Sequence, residues 1–301
     1  MERTSTKKNT SNPRETLKRL NKQPRKATTS SKKKKAKSSS SNWAGIKWII
    51  IINVLLGGGI WLGIHFQDGF KYFFSQDRKN APEKSLFDFR TAEVLARHDS
   101  KMIGFDVSHY QGVIDWGRVD SVASKSALEF VFVRATMGVD GVDRAYKLNW
   151  KGAGANHFIR GAYHYYRPDE NSVEQANNFI KTVKLAPGDL PPVLDIEDLP
   201  KKQSVESLRL GLKRWIELVE EHYKVKPILY SGEHYYTNHL KQWFPDHILW
   251  IANYNFFVEE IKPEWHFWQF TEKGIVNGIE GKVDLNIYNG NKTEMRKLLL
   301  K

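Results

Sequence analysis

The chain of 301 residues carries a net charge of +13 and contains no cysteine. Without cysteine, disulfide bonds, thiol catalysis and cysteine-ligated metal sites are excluded. The excess charge lies in residues 1–47, which hold 15 Lys and Arg against 2 acidic residues, whereas the other 254 residues balance 32 basic with 32 acidic side chains. The globular part therefore lacks the basic excess that is typical of nucleic-acid-binding domains.

Residues 1–47 are rich in Ser, Thr and Lys and have no apolar periodicity. This composition buries too little apolar surface to offset the entropy lost on ordering, so we predict a disordered basic tail.

The following segment, residues 48–66, is apolar apart from little more than Asn53 and His65. As a helix it spans about 28 Å, which matches the hydrocarbon core of a bilayer. A cleaved signal peptide is the alternative interpretation, but the apolar run is longer than usual and residues 67–79 offer no small-residue cleavage site. We predict one transmembrane helix in the cell (inner) membrane, with the basic N-terminus in the cytoplasm and the C-terminal domain outside it.

Residues 67–100 are mixed and charged and include Pro82, so we predict a stalk between the helix and a domain at residues 101–301. Eight strand-like runs follow, at residues 102–108, 130–136, 161–166, 192–197, 227–232, 248–254, 266–271 and 283–288. Helical periodicity separates the early runs, most clearly at 204–223, with Ser204 as its cap, and around Val173 to Val183. The alternation predicts an α/β fold with a parallel sheet closed into an irregular TIM-like barrel, whose last three strands lack full helices.

Acidic residues occur where the predicted strands reach the barrel mouth. Asp106 ends the first strand, Asp195 and Glu197 end the fourth, and Asp284 begins the eighth. The two-residue period of a strand places Asp195 and Glu197 on one side. Neighbouring buried carboxylates retain a proton near neutrality, which suits acid-assisted cleavage of a glycosidic bond. A metal site is the rival interpretation, but no His stands at a ligand spacing beside these acids.

Aromatic residues are dense near the same strand ends, and aromatic rings pack against the apolar C–H faces of sugars. They are Tyr110, Tyr163, Tyr165, Tyr166, Tyr230, Tyr235, Tyr236, Trp250, Tyr254 and Trp268. As a group they predict a glycan-binding groove. The residues that we expect to bind substrate are Asp284, Tyr163, Tyr165, Tyr230, Trp268 and Gln269.

Seven motifs in the domain resemble, in order, those of glycoside hydrolase family 25, the lysozymes of the Chalaropsis type. They are GFDVSHYQGVIDW, GAYHYYRP, PPVLDIED, PILYSG, LWIANY, FWQFTEKG and VDLNIYNG, within residues 102–289. The resemblance implies a (β/α)5(β)3 barrel, no cofactor, and hydrolysis of the β-1,4 bond between N-acetylmuramic acid and N-acetylglucosamine in peptidoglycan.

By position, the resemblance implies that Glu197 is the general acid, that Asp195 orients the substrate or its 2-acetamido group, and that Asp106 and Asp284 are further acids of the site. The alternatives of acetamido assistance and a carboxylate nucleophile or base stay open, with assistance preferred because two acids on one strand do not easily flank opposite faces of a sugar. One departure is Met137, where members often carry an acid.

Two other functions compete with a membrane-anchored lysozyme for wall remodelling or catabolism. The first is a catalytically silent tether that binds peptidoglycan, against which the complete set of acids argues. The second is action on nucleic acid through the basic tail, which the membrane would separate from the domain. The expected partners are therefore peptidoglycan glycan strands and the lipid bilayer.

Overall fold

The computed structural model describes residues 42–74, 86–122 and 126–301. The chain divides into two units, Met1–Leu55 and Leu56–Lys301. Most of the predicted disordered tail lies outside the described residues, and residues 42–47 form the beginning of the first helix. This helix, α1 (Asn42–His65), contains a stretch, Ile46–His65, that is long and apolar enough to cross a membrane and is not buried by the rest of the protein.

Seven further helices follow α1 in the described residues. They are α2 (Gln67–Phe74), α3 (Leu86–Arg97), α4 (Tyr146–Ala155), α5 (Ser172–Thr182), α6 (Val205–Tyr223), the short α7 (Glu233–Tyr235) and α8 (Lys292–Leu298). The strands are β1 (Met102–Val107), β2 (Ser121–Val122), β3 (Ser126–Met137), β4 (Gly141–Val142), β5 (Ile159–Tyr165), β6 (Val193–Asp195), β7 (Ile228–Gly232), β8 (Leu249–Ala252), β9 (Phe267–Gly274) and β10 (Val283–Tyr288).

Eight strands close into a barrel-like core, and each overlaps one of the eight predicted runs. The order around the barrel is β1, β10, β9, β8, β7, β6, β5 and β3, and β3 pairs again with β1. The strands are parallel except β10, which is antiparallel to both β1 and β9. The prediction of a parallel sheet was wrong for this strand, because the eight residues between β9 and β10 are too few for a parallel crossover.

Helices α4, α5 and α6 connect β3, β5, β6 and β7, while α7 and a π-helical turn at Tyr236–Leu240 follow β7. In the described residues between β1 and β3 there are instead two 3-10 turns and β2. The first connection therefore departs from a βα unit. The residues between β8 and β9 contain no helix, which agrees with their lack of helical periodicity.

Helix α6 forms where the sequence predicts it. The Ser204 hydroxyl accepts a hydrogen bond from the amide of Ser207 at 3.1 Å, which satisfies a free donor of the first turn. Its predicted apolar face is buried against the barrel, as are Ala176 and Phe179 of α5. The helices thus cover the outer faces of the strands.

The two-residue period of the strands separates two apolar cores. On β3, Val131 and Val133 face the outer core beneath the helices, whereas Phe130 and Phe132 fill the barrel interior. Above these aromatic residues, the inward positions become polar. The strand period therefore directs the site acids toward the interior of the barrel.

The segment predicted as a stalk contains α2 and α3. On α3, Phe89, Arg90, Glu93, Val94 and Leu95 are buried. Arg90 donates hydrogen bonds to the carbonyl oxygens of Phe270 on β9 and of Val258. Within the segment predicted as a stalk, α3 packs on the barrel, and its apolar face continues the outer core.

Candidate active site

A cavity of about 440 Å³ opens at the carboxyl ends of the parallel strands. Five acidic residues line it: Asp106, Asp195, Glu197, Glu272 and Asp284. The four predicted acids thus reach one cavity from three strands. Burial and mutual repulsion of carboxylates favour protonated forms, so the cavity has the features of an acid–base site.

Asp195 and Glu197 lie at the end of β6, with Asp195 almost fully buried and Glu197 exposed beyond the strand. Hydrogen bonds from Ile196 N to the Tyr230 carbonyl (3.1 Å) and from Ser231 Oγ to the Ile196 carbonyl (2.7 Å) hold the intervening residue outward. Both acids consequently face the cavity, and their side chains are hydrogen-bonded to each other.

The pKa of Asp195 is raised well above its ordinary value by burial and then by the charges of Glu197 and Asp106. The pKa of Glu197 is also raised, by burial first and then by the charges of Asp198 and Asp106. Asp195 Oδ1 is buried without a hydrogen-bond partner among the described residues. The pair therefore retains a proton.

Asp106 and Asp284 are directly opposite each other across β1 and β10. Asp106 Oδ2 accepts hydrogen bonds from Gln269 Nε2 (2.7 Å) and Asn286 Nδ2 (2.8 Å). Burial raises the pKa of Asp106 to about 6, even though these bonds and one with Asp284 lower it. Burial and the neighbouring Asp106 charge raise the pKa of Asp284 to about 9. Near neutrality, Asp106 is ionised and Asp284 is protonated.

The two amides on Asp106 are oriented by donors behind them. Trp250 Nε1 donates to Asn286 Oδ1 at 2.8 Å, and the Tyr230 hydroxyl donates to Gln269 Oε1 at 2.8 Å. An indole nitrogen is a donor only, so Asn286 must present its NH₂ group to Asp106. Asp106 is therefore held as a hydrogen-bonded carboxylate.

A basic group, Arg134, enters the cavity from β3. Its Nε donates to Asp143 Oδ2 at 2.9 Å, and its guanidinium contacts the His109 ring and lies over the ring of Tyr110. Although burial raises it, the pKa of Asp143 is lowered by hydrogen bonds from His109, Ala145 and Arg134. The Arg134 charge in turn lowers the pKa of Asp195.

Three predicted tyrosines, Tyr163, Tyr165 and Tyr230, line the cavity with Gln269, and Tyr110 and Tyr254 also lie at its edge. The Tyr165 hydroxyl donates to Asp198 Oδ2 at 2.8 Å. Met137 lines the same cavity, where an acid was expected from the resemblance. The walls thus offer both aromatic surface and hydroxyl groups.

The predicted position of Trp268 in the groove is corrected by the structure. Trp268 is fully buried in the outer core, and its Nε1 donates to the Asn253 carbonyl at 3.0 Å. Its neighbour Gln269 faces the cavity instead. Adjacent strand residues point to opposite faces, so both side chains cannot line one groove.

Two histidines near the site, His164 and His109, bond to residues other than the four acids. His164 is buried, and its ring nitrogens contact Thr136 Oγ1 (2.7 Å) and Gln175 Oε1 (3.2 Å). Burial lowers the pKa of His164 to about 4. His109 contacts Asp143 rather than the four acids. In the described part of the chain, no group of three or more acids or histidines is arranged to hold a metal ion.

Arg134, Asp143 and Asn286 were not predicted from the sequence. Arg134 carried a signal, because it continues the inward series of Phe130 and Phe132 on an otherwise apolar strand. Asn286 has the same parity on β10 as Asp284. Asp143 lies in a loop, where no periodicity identifies its partners.

Comparison with known proteins shows that the chain is similar to glycosidases. The sequence profile described as glycosyl hydrolases family 25 matches residues 105–279. The chain is 38% identical over 199 residues to the uncharacterized protein YegX of Escherichia coli K12, covering 64% of this chain and 71% of YegX. It is 30% identical over 210 residues to Lysozyme M1 of Streptomyces globisporus, covering 65% and 70%.

Among solved structures, a family 25 glycosyl hydrolase from Bacillus anthracis superposes with a TM-score of 0.59 at 30% identity. The match covers 66% of this chain and 94% of that one.

Proposed function

The chain belongs to glycosyl hydrolases family 25 and is a lysozyme-type glycoside hydrolase, and on this premise we propose that it cleaves the β-1,4 bond between N-acetylmuramic acid and N-acetylglucosamine in peptidoglycan. The observation that carries this proposal is the convergence of Asp106, Asp195, Glu197 and Asp284 in one cavity.

Glu197 is assigned as the general acid. It is the most accessible acid of the β6 pair, and its raised pKa keeps a proton available for the departing sugar oxygen. As the bond between the anomeric carbon and that oxygen breaks, the Glu197 proton passes to the oxygen.

Asp195 is assigned to the substrate 2-acetamido group. It lines the cavity beside Glu197 and is suited to accept the acetamido N–H, which directs the acetamido oxygen toward the anomeric carbon. That oxygen forms the new bond as the glycosidic bond breaks, and water later opens the cyclic intermediate. The hydrogen-bonded pair on one strand supports this route over a carboxylate nucleophile, which needs acids on opposite faces of the sugar.

Ionised Asp106, fixed by Gln269 and Asn286, is assigned to stabilise positive charge on the sugar ring. Asp284, Tyr163, Tyr165, Tyr230 and Gln269 are assigned to substrate binding from their positions in the cavity.

The enzyme is proposed to be anchored in the cell membrane by α1. The support is its apolar stretch, unburied in this protein, together with the cationic residues before it, which favour a cytoplasmic N-terminus. A tethered enzyme acts within reach of its own cell, so remodelling of the owner's wall is the role that we propose.

Mass spectrometry of digested peptidoglycan tests the activity. The proposal requires soluble fragments that end in reducing N-acetylmuramic acid, formed by the native protein and about 10²–10⁴-fold more slowly by Glu197→Gln. Glu217→Gln, on the exposed surface of α6, is the matched control and keeps full activity. Binding to the wall without release of fragments would instead establish the silent tether, and reducing N-acetylglucosamine would establish a glucosaminidase.

A further inference from the structure

We propose that residues 61–74 and 86–101 fix the barrel with its active-site mouth turned away from the membrane, so that the enzyme cuts polymerised glycan strands at a distance from the bilayer surface. This inference rests on the proposed membrane anchor and hydrolase function. Its structural basis lies entirely within the unit Leu56–Lys301.

The end of α1 and helix α2 run antiparallel to α3. Backbone hydrogen bonds from Phe66 to the Leu62 carbonyl and from Phe70 to the Phe66 carbonyl carry the helical pattern from α1 into α2. The pairs that set the direction are His65 with Arg97, Gly69 with Glu93, and Phe70 with Phe89. The first residues of α2 therefore lie at the carboxyl end of α3.

The contacts between these helices satisfy backbone groups that helix ends leave free. Arg97 Nη2 donates to the His65 carbonyl at 2.8 Å, and the buried Glu93 carboxylate accepts the Gly69 amide at 2.7 Å. A Cβ at position 69 would lie 2.7 Å from the Phe89 ring, so glycine permits this approach. Such bonds define one arrangement of the junction between α1 and α2.

The barrel adds further polar contacts to the same junction. Glu259, between β8 and β9, lies 3.1 Å from His65 Nε2 and 3.0 Å from Arg97 Nη2. Arg97 also contacts Glu93 at 3.3 Å. The last residue of α1 is thus linked to α3 and to the barrel together.

The carboxyl end of α3 marks the end of the barrel opposite the mouth. Arg97 precedes the start of β1 by five residues, and the His98 ring lies 5.9 Å from that of Trp268, near the start of β9. Asp106 reaches the cavity at the far end of β1. Asp106 is the fifth of the six residues of β1, so most of the length of this strand lies between the α1 junction and the acids.

The apolar stretch ends at His65, so a bilayer boundary at this residue consequently lies on the side of the strand amino ends. The mouth then faces the wall, where polymerised glycan strands are within reach, and disaccharide units still attached to lipid at the membrane surface are not. The contacts of Arg97 with Glu93 and Glu259 thus determine which substrates the enzyme reaches, because they fix the orientation of the barrel.

Fluorescence transfer tests the orientation, because the chain has no native cysteine and single labels are unambiguous. Val113→Cys labels the mouth side, after β1, and Ala155→Cys labels the opposite side, where α4 ends before β5. Full-length protein is placed in phosphatidylethanolamine and phosphatidylglycerol vesicles with an acceptor on the lipid headgroup.

We expect transfer from position 155 to exceed transfer from position 113, because position 155 lies toward the amino ends of the strands and position 113 toward the mouth. Equal transfer, stronger transfer from position 113, or no transfer from either overturns the proposal. Arg97→Ala reduces the difference, whereas the surface variant Lys71→Ala preserves it. The same measurement in Glu197→Gln needs no hydrolysis, so failure of the orientation is distinguished from failure of the proposed activity.

Discussion

Asp106 and Asp284 face each other across the antiparallel pair of β1 and β10, and a hydrogen bond joins their carboxyl groups. One proton serves both groups between about pH 6 and pH 9, because the pKa values lie near these limits. This pairing has consequences for stability as well as for catalysis.

Asp284→Asn should make the unfolding free energy decrease less steeply as pH rises. The pKa of Asp284 is higher in the folded state, about 9, than in the unfolded chain, so its contribution is complete at low pH and is lost as pH rises toward 9. Asparagine still donates to Asp106 but does not ionise. We expect the variant to gain up to about 4 kcal/mol in unfolding free energy relative to wild type between pH 5 and pH 8, since each pH unit contributes about 1.4 kcal/mol. Urea unfolding at both values measures this, and an unchanged pH slope would contradict the prediction; Asp99→Asn, on the surface, is the control.

Asp198→Asn should shift the alkaline limb of the activity profile to lower pH. The Asp198 charge helps burial to raise the pKa of Glu197, so its removal lets Glu197 lose its proton earlier. Because Asp198 is exposed, solvent screening keeps the shift small. The pH profile of kcat/KM on soluble wall fragments measures this shift of the alkaline limb. Asp115→Asn, also exposed but outside the cavity, should leave the limb unchanged.

Arg134→Gln should reduce both stability and activity. Asp143 loses one partner of a nearly buried ion pair, at a cost of about 2–4 kcal/mol in unfolding free energy. The pKa of Asp195 rises further without the positive charge, and we expect kcat to fall about ten-fold or more. Arg144→Gln changes an adjacent exposed arginine and tests whether loss of charge alone is sufficient. Equal effects of the two variants would refute a specific role for Arg134.

Substitutions of the neighbouring residues Trp268 and Gln269 should have different effects, the first on stability and the second on activity. Trp268→Phe loses a buried N–H bond and core volume, so unfolding free energy falls by about 1–3 kcal/mol while kcat/KM of the folded protein is unchanged. Gln269→Leu removes a donor to Asp106, and we expect kcat to fall about 10²-fold. Thermal unfolding and steady-state kinetics separate the two effects. Loss of substrate affinity in Trp268→Phe would restore the earlier assignment to the groove.

Local periodicity in the sequence was enough to predict the elements of the barrel. The eight apolar runs correspond to the eight barrel strands, and the 3.6-residue period at 204–223 corresponds to α6 with its Ser204 cap. The sequence alone likewise predicts that Asp195 and Glu197, two residues apart on one strand, point to the same side. These features depend on residues within one element, whose side-chain directions are set by backbone geometry.

Pairing between distant strands required the tertiary structure. The antiparallel insertion of β10 brings Asp284 against Asp106 and delivers Asn286 to the same carboxylate. No local pattern states which strand a run will pair with, because the energy of pairing comes from groups far apart in sequence.

The sequence by itself determined the strands, the covering helices and the acids that belong at the mouth. Only the tertiary structure decided that Gln269 rather than Trp268 faces the cavity, that Arg134 pairs with Asp143, and that α3 packs on the barrel. The physical reason is that periodicity defines two faces of an element, whereas burial against other elements decides which face is inside.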